Sequence, residues 1–199
     1  EAAGGKVLFY KVDARNEGEV AGALKAVEVE FGRLDAAVYS VGVLRGASRN
    51  ITELTLEDWD ATIDTNLTGA FLVIKHAAPL MEKAGSSVLM VISSGAGVYG
   101  GSSSIAYAAS KGGLYAMRFN LEGQLAPKGI RLHTILPGGI SSPLKLKNIF
   151  ENAEVRGEDP EKAVADAKSD LGDPIGVARI LLMLASAEGD YMRGTVTTR

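Results

Sequence analysis

Tyr107 and Lys111 stand four residues apart in the run Tyr107-Ala108-Ala109-Ser110-Lys111. The surrounding residues have helical periodicity, so the two side chains leave one helix face together. A phenol of pKa about 10 is a poor proton-transfer group at neutral pH unless a nearby positive charge favours its anion. Lys111 can supply that charge. Ser94, thirteen residues before Tyr107 at the end of an apolar run, can donate a hydrogen bond to a substrate oxygen and hold it against Tyr107. The chemistry open to this trio is proton exchange with the oxygen of an alcohol or carbonyl compound.

The elements that must position these groups alternate between strand-like and helix-like patterns, as parallel strands joined by crossover helices do. Residues 7–13 (VLFYKVD) read as a strand, and residues 17–31 as a helix with Val20, Leu24, Val27 and Phe31 on one face and Gly32 as its stop. Residues 34–41 (LDAAVYSV) form a short apolar strand ending at Gly42. A long helix begins at Thr55, where Thr55-Leu56-Glu57-Asp58 matches a capping box with Asp in the acidic position, and runs through Trp59, Ile63, Leu67, Phe71 and Ile74 toward Met81. Residues 87–94 are a strand with the apolar centre of a sheet covered on both faces. Residues 104–125 are a second long helix, 130–136 another strand, and Pro137-Gly138-Gly139 a turn. Residues 141–170 are charged and broken by Pro143, Gly157 and Pro160, reading as a mobile excursion with short helices. Asp173 then caps a helix with Pro174 at its first position, and residues 194–198 complete the pattern as a strand. The fold class is α/β, a doubly wound parallel sheet of Rossmann-like type in one domain, and ligands of such sheets lie beyond the carboxyl ends of the strands.

Composition removes several alternatives. A chain of 199 residues buries roughly 70% of the surface its unfolded form exposes, enough for one core. The formal charge of −3 is small and evenly spread, which argues against a nucleic-acid partner. There is no cysteine, hence no disulfide, thiol nucleophile or thiolate metal site, and a cytoplasmic location fits. His76 and His133 lack ligand spacing, so no metal is expected. No apolar run reaches the ~20 residues of a membrane span.

In order along the chain come a strand ending at Asp13, a small-residue turn at Gly42, Asn66-Leu67-Thr68-Gly69 within a long helix, Ser93-Ser94 closing a strand, the Tyr107/Lys111 pair, and Pro137-Gly138-Gly139-Ile140-Ser141-Ser142. In this ordered set the chain resembles the short-chain dehydrogenase/reductase family over almost its whole length. The resemblance implies reversible hydride transfer between NAD or NADP and a secondary alcohol or ketone. Tyr107 would be the general acid–base, Ser94 would orient the substrate oxygen, and Lys111 would lower the tyrosine pKa and bind the nicotinamide ribose. Asn66 would sit where the helix main chain opens and hold a water that completes a proton relay. Cofactor contacts would come from Asp13, Ala14, Ser40, Gly42, Tyr107, Lys111, Pro137, Gly138, Ile140 and Ser142, with Asp13 receiving the adenine amino group and Ser142 the carboxamide. The resemblance also implies a homodimer or homotetramer. A non-catalytic binding or regulatory protein on the same fold is the alternative, since fold alone does not secure function.

The pattern departs from the family in two places. A strand, glycine-rich turn and helix that would bind the pyrophosphate do not occur in these residues; Gly4 and Gly5 precede the first strand pattern. The expectation is therefore a chain without its first βαβ unit, leaving the strand at residues 7–13 without a neighbour and an apolar edge at residues 34–41. Tyr39-Ser40-Val41-Gly42 also stands where the family commonly has Asn-Asn-Ala-Gly, which puts the bracing of that strand end in question. NAD versus NADP, and a substrate among steroids, sugars, acyl chains and small ketones, stay open.

Overall fold

The computed structural model describes residues 4–198. Four parallel strands form one sheet in the order β1-β2-β3-β4, with β1 at Ala36–Tyr39, β2 at Ser87–Ile92, β3 at Ile130–Pro137 and β4 at Gly194–Thr198. Each strand follows its predecessor through a crossover that contains helices, the connection parallel pairing requires.

The helices start where local chemistry starts them. Asn16 caps α1 (Glu17–Phe31), with its side chain accepting from the Glu19 amide, and Gly32 ends it in the left-handed region at φ 76°. Thr55 caps α2 (Leu56–Ile63) by accepting from the Asp58 amide at 3.1 Å. The predicted single helix from Thr55 to Met81 is interrupted: residues Asp64–Thr68 form a π-helical turn, and α3 (Gly69–Lys83) continues from it. Ser104 caps α4 (Ile105–Leu125). Residues 141–170 carry two helices, α5 (Pro143–Arg156) and α6 (Pro160–Lys168), and Asp173 caps α7 (Pro174–Ala185).

The predicted strand at residues 7–13 does not form. Residues 5–13 run outside the sheet with Val7 66% and Phe9 88% exposed. Their apolar, β-branched pattern is real, but a strand is stabilised by a neighbour that accepts its ladder hydrogen bonds and packs its side chains. Nothing in the sheet lies beside them, and β1 itself is an edge strand.

The core lies on both faces of the sheet. Toward α3 and α4, Ile74, Met81, Leu89, Leu114, Leu125 and Leu132 pack together, while Val88, Met90, Ile135 and Leu184 fill the layer beneath α7. His133 lies at the centre of β3, fully buried, and neither ring nitrogen has a hydrogen-bond partner. Burial lowers its pKa below the usual 6.5, so the folded chain holds it neutral while the unfolded chain protonates it below that pH. Stability therefore falls as the pH drops through the unfolded value. A His133→Leu variant is expected to lose less stability than the parent between pH ~7.5 and ~5, measured as urea midpoints; equal losses would show that His133 does not carry the acid sensitivity.

Candidate functional site

The carboxyl ends of β1, β2 and β3 open into a cavity of about 830 Å³. Ser94, Tyr107 and Lys111 line it together. So do Ser40 and Gly42 beyond β1 and Pro137, Gly138, Ile140 and Ser142 beyond β3. The structure thus brings most of the sequence-derived residues to one space.

Two small-residue contacts fix α4 at the strand end. Gly97, in the one-turn 3₁₀ helix after Ser94, lies so close to α4 that a Cβ there would sit 2.3 Å from the Gly112 amide nitrogen. Any larger residue would lever the helix away. Ser93, 2% exposed, donates to the Lys111 carbonyl at 2.7 Å. Both residues escape a search for reactive side chains; the only sequence signal is the small-residue run Ser93-Ser94-Gly95-Ala96-Gly97 directly after an apolar strand.

Lys111 is 3% exposed and donates to the Ile92 carbonyl at 2.7 Å. Its nitrogen lies 5.6 Å from the centre of the Tyr107 ring. Desolvation lowers the lysine pKa to about 8. Burial raises the Tyr107 pKa above its ordinary value, with the neighbouring Ser94 hydroxyl acting in the opposite sense. The phenol is therefore held protonated across the neutral range. In this arrangement the Lys111 ammonium is turned to the strand-end carbonyl of Ile92.

Asn66 does not line the cavity; it stands behind it, fully buried in the π-turn. Its Oδ1 accepts from the Val43 amide at 2.8 Å, and its Nδ2 donates to the Val43 carbonyl and to Ser110 Oγ, each at 2.9 Å. Ser110 in turn donates to the Tyr107 carbonyl. One buried amide thus ties the turn after β1 to the helix that carries Tyr107. A Cβ on Gly42 would fall 3.5 Å from Lys111 Nζ and 3.6 Å from Asn66 Oδ1, so glycine keeps open the space between those two groups.

Tyr39 answers the question raised by its replacement of asparagine. The side chain is 2% exposed, and its hydroxyl donates to the Thr65 carbonyl inside the π-turn. Burial pushes its pKa up to about 12, so it stays a donor. Gly69 makes room, since a Cβ there would lie 2.5 Å from the Tyr39 hydroxyl. Tyr39→Phe is expected to destabilise the chain by about 1 kcal/mol, the net worth of one such hydrogen bond, read from chemical denaturation; an unchanged midpoint would show that the phenol does not brace the turn.

Asp13 and Ala14 are not brought to the cavity lining. The Asp13 carboxylate pairs with Arg15 at 2.6 Å, which holds its pKa at about 2, and Ala14 packs against the core beside Gly69.

Residues 1–198 match the family model described as Enoyl-(Acyl carrier protein) reductase. The chain is 33% identical over 197 residues to the 3-oxoacyl-[acyl-carrier-protein] reductase FabG of Thermotoga maritima, covering 96% of this chain and 75% of that protein. It belongs to the short-chain dehydrogenase/reductase family. The family assignment makes the chain a member of the NAD(P)-dependent oxidoreductases. A second relative is the 3beta-hydroxysteroid dehydrogenase of Mediterraneibacter gnavus, 30% identical over 211 residues, with 98% of this chain and 76% of that protein covered. Among solved structures, levodione reductase superposes with a TM-score of 0.89 at 24% identity, covering 98% of this chain and 77% of that one. Sorbitol-6-phosphate 2-dehydrogenase SrlD of Erwinia amylovora superposes with a TM-score of 0.85 at 31% identity, covering 95% and 76%. The doubly wound fold read from the sequence agrees with these likenesses. Among the described residues, no helix is long and apolar enough to cross a membrane.

Proposed function

We propose that this short-chain dehydrogenase/reductase interconverts a secondary alcohol and a ketone, with Tyr107 exchanging the proton of the substrate oxygen. The observation that carries the reading is the convergence of Ser94, Tyr107 and Lys111 on one cavity at the carboxyl ends of the strands. The cavity wall suits the nicotinamide end of the cofactor: Gly42 leaves room where a side chain would intrude, and Pro137, Gly138, Ile140 and Ser142 offer main chain and a hydroxyl beyond β3. When bound, the nicotinamide supplies or accepts the hydride. Ser94 holds the substrate oxygen and Tyr107, protonated at neutral pH, donates to that oxygen as its negative charge develops during reduction. Lys111, pinned to the Ile92 carbonyl at one end of its reach, lies beside both the Tyr107 ring and the Gly42 space that leads to Asn66. That path is the proposed route by which the phenol regains its proton. Asp13, occupied by Arg15, would have to release that partner to serve an adenine amino group.

The same reading includes self-association through the long helices, supported by Phe71 on α3 and Phe119 on α4, which are 49% and 58% exposed. Catalysis is tested by following nicotinamide absorbance when the chain meets reduced NAD or NADP with a panel of ketones, and the oxidised forms with secondary alcohols. Ketone-dependent loss of the reduced form is expected. Absence of any substrate-dependent change, together with absence of dinucleotide binding, would refute it.

A further inference from the structure

The cavity has a second polar station, away from the groups that handle the proton. Ser103 and Asn148 both line it. Asn148, in α5, is 8% exposed, and its Nδ2 donates to Ser103 Oγ at 2.8 Å. Its Oδ1 accepts from Asn152 Nδ2 at 3.3 Å. Asn152 Oδ1 in turn accepts from Ser48 Oγ at 2.5 Å, and the Ser48 amide donates back to the Ser103 carbonyl at 2.7 Å. These bonds, three between side chains and one between main-chain groups, close a ring of four residues that joins the loop after β1, the approach to α4, and α5.

Ser48 holds that ring at a conformational cost. Its φ of 57° is the only positive value at a non-glycine among the described residues. A serine in the left-handed region costs on the order of 1 kcal/mol and persists where surrounding bonds over-determine it. Strain of this kind collects at sites that must hold a fixed geometry. Gly100 and Gly101, also in the cavity lining, have positive φ, and nothing lies within 4 Å of where a Cβ would stand on either.

The donor count of the station specifies what it would hold. Ser103 Oγ accepts from Asn148, and among the described residues its own proton has no acceptor. Asn148 Nδ2 gives one proton to Ser103 and has no second acceptor. Both side chains therefore keep hydrogen-bonding capacity beyond the bond they share, and they keep it in the lining of the cavity. We propose that Ser103 and Asn148 receive an oxygen of the substrate distinct from the one Tyr107 protonates, so that the substrate is a ketone bearing a second oxygen, such as a hydroxyketone or a dione, in preference to a hydrocarbon ketone. This rests on the ketone–alcohol reading above and adds the specificity of its far end.

The test compares cyclohexanone with 2-, 3- and 4-hydroxycyclohexanone, using ligand-observed NMR titration so that binding is read without turnover. In the parent chain, at least one hydroxyketone is expected to bind about tenfold more tightly than cyclohexanone, the worth of one well-made hydrogen bond. In Ser103→Ala that advantage should fall to about twofold or less, and Ser103→Thr, which keeps the hydroxyl, should restore it. No advantage in the parent chain, or an advantage that survives Ser103→Ala, overturns the proposal. The advantage should persist in Tyr107→Phe. If ketones are never reduced while the Ser103-dependent advantage is present, the catalytic reading has failed and the binding station has not.

Discussion

Tyr107→Phe should lower turnover by about 1,000-fold or more while leaving nicotinamide dinucleotide affinity within about threefold of the parent. The expectation follows from what the hydroxyl does. Positioned acid–base groups contribute roughly 10²–10⁴ to rate, and no other group is placed to take over: His76 lies at the surface against Glu17, His133 is sealed in the core, the serine hydroxyls lining the cavity are too weak as acids to replace a phenol, and the Lys111 ammonium is turned to the Ile92 carbonyl. Phenylalanine preserves the ring against Lys111, so a loss of rate reports the proton rather than the packing. Rates of ketone reduction and dinucleotide titration, measured on the same preparation, separate the two effects. Turnover within about tenfold of the parent would remove Tyr107 from the reaction.

Lys111→Met should have two effects of opposite sign. Burial holds the ammonium pKa at about 8 against an ordinary 10.5. A folded value below the unfolded one means that charging this lysine inside the protein costs stability at neutral pH, on the order of 3 kcal/mol, partly offset by its bond to the Ile92 carbonyl. The unfolded chain binds the extra proton between the two values, so the cost is fully present below pH ~8 and is relieved as pH rises toward ~10.5. Methionine removes the charge and keeps the length. The variant should melt several degrees higher than the parent at pH ~7, with the gap closing above pH ~8, and should lose turnover by about 100-fold or more. A lower melting temperature at neutral pH would show that the buried ammonium is a net stabiliser. The expected gain would mark Lys111 as a residue kept for its position beside Tyr107 at the expense of the fold.

What was legible in the sequence is what depends on neighbours along the chain. Helix starts at Asn16, Thr55, Ser104 and Asp173 follow from a side-chain acceptor three or fewer residues from the amide it satisfies. The Tyr107/Lys111 pair needs only the four-residue repeat of a helix, and the central strands announce themselves because both faces are covered. Tertiary structure decided the rest. Residues 7–13 have a strand's composition but no strand beside them, and pairing is a property of two segments. The π-turn at Asp64–Thr68 depends on bonds reaching from Tyr39 and Val43, more than twenty residues away. The ring through Ser48, Ser103, Asn148 and Asn152 closes across more than a hundred residues of sequence. Side-chain type and spacing determined which group could move a proton; only the fold, by setting burial and distance, decided that the Tyr107 pKa is raised further, that Lys111 is costly to charge, and that Ser103 and Asn148 meet in the cavity lining.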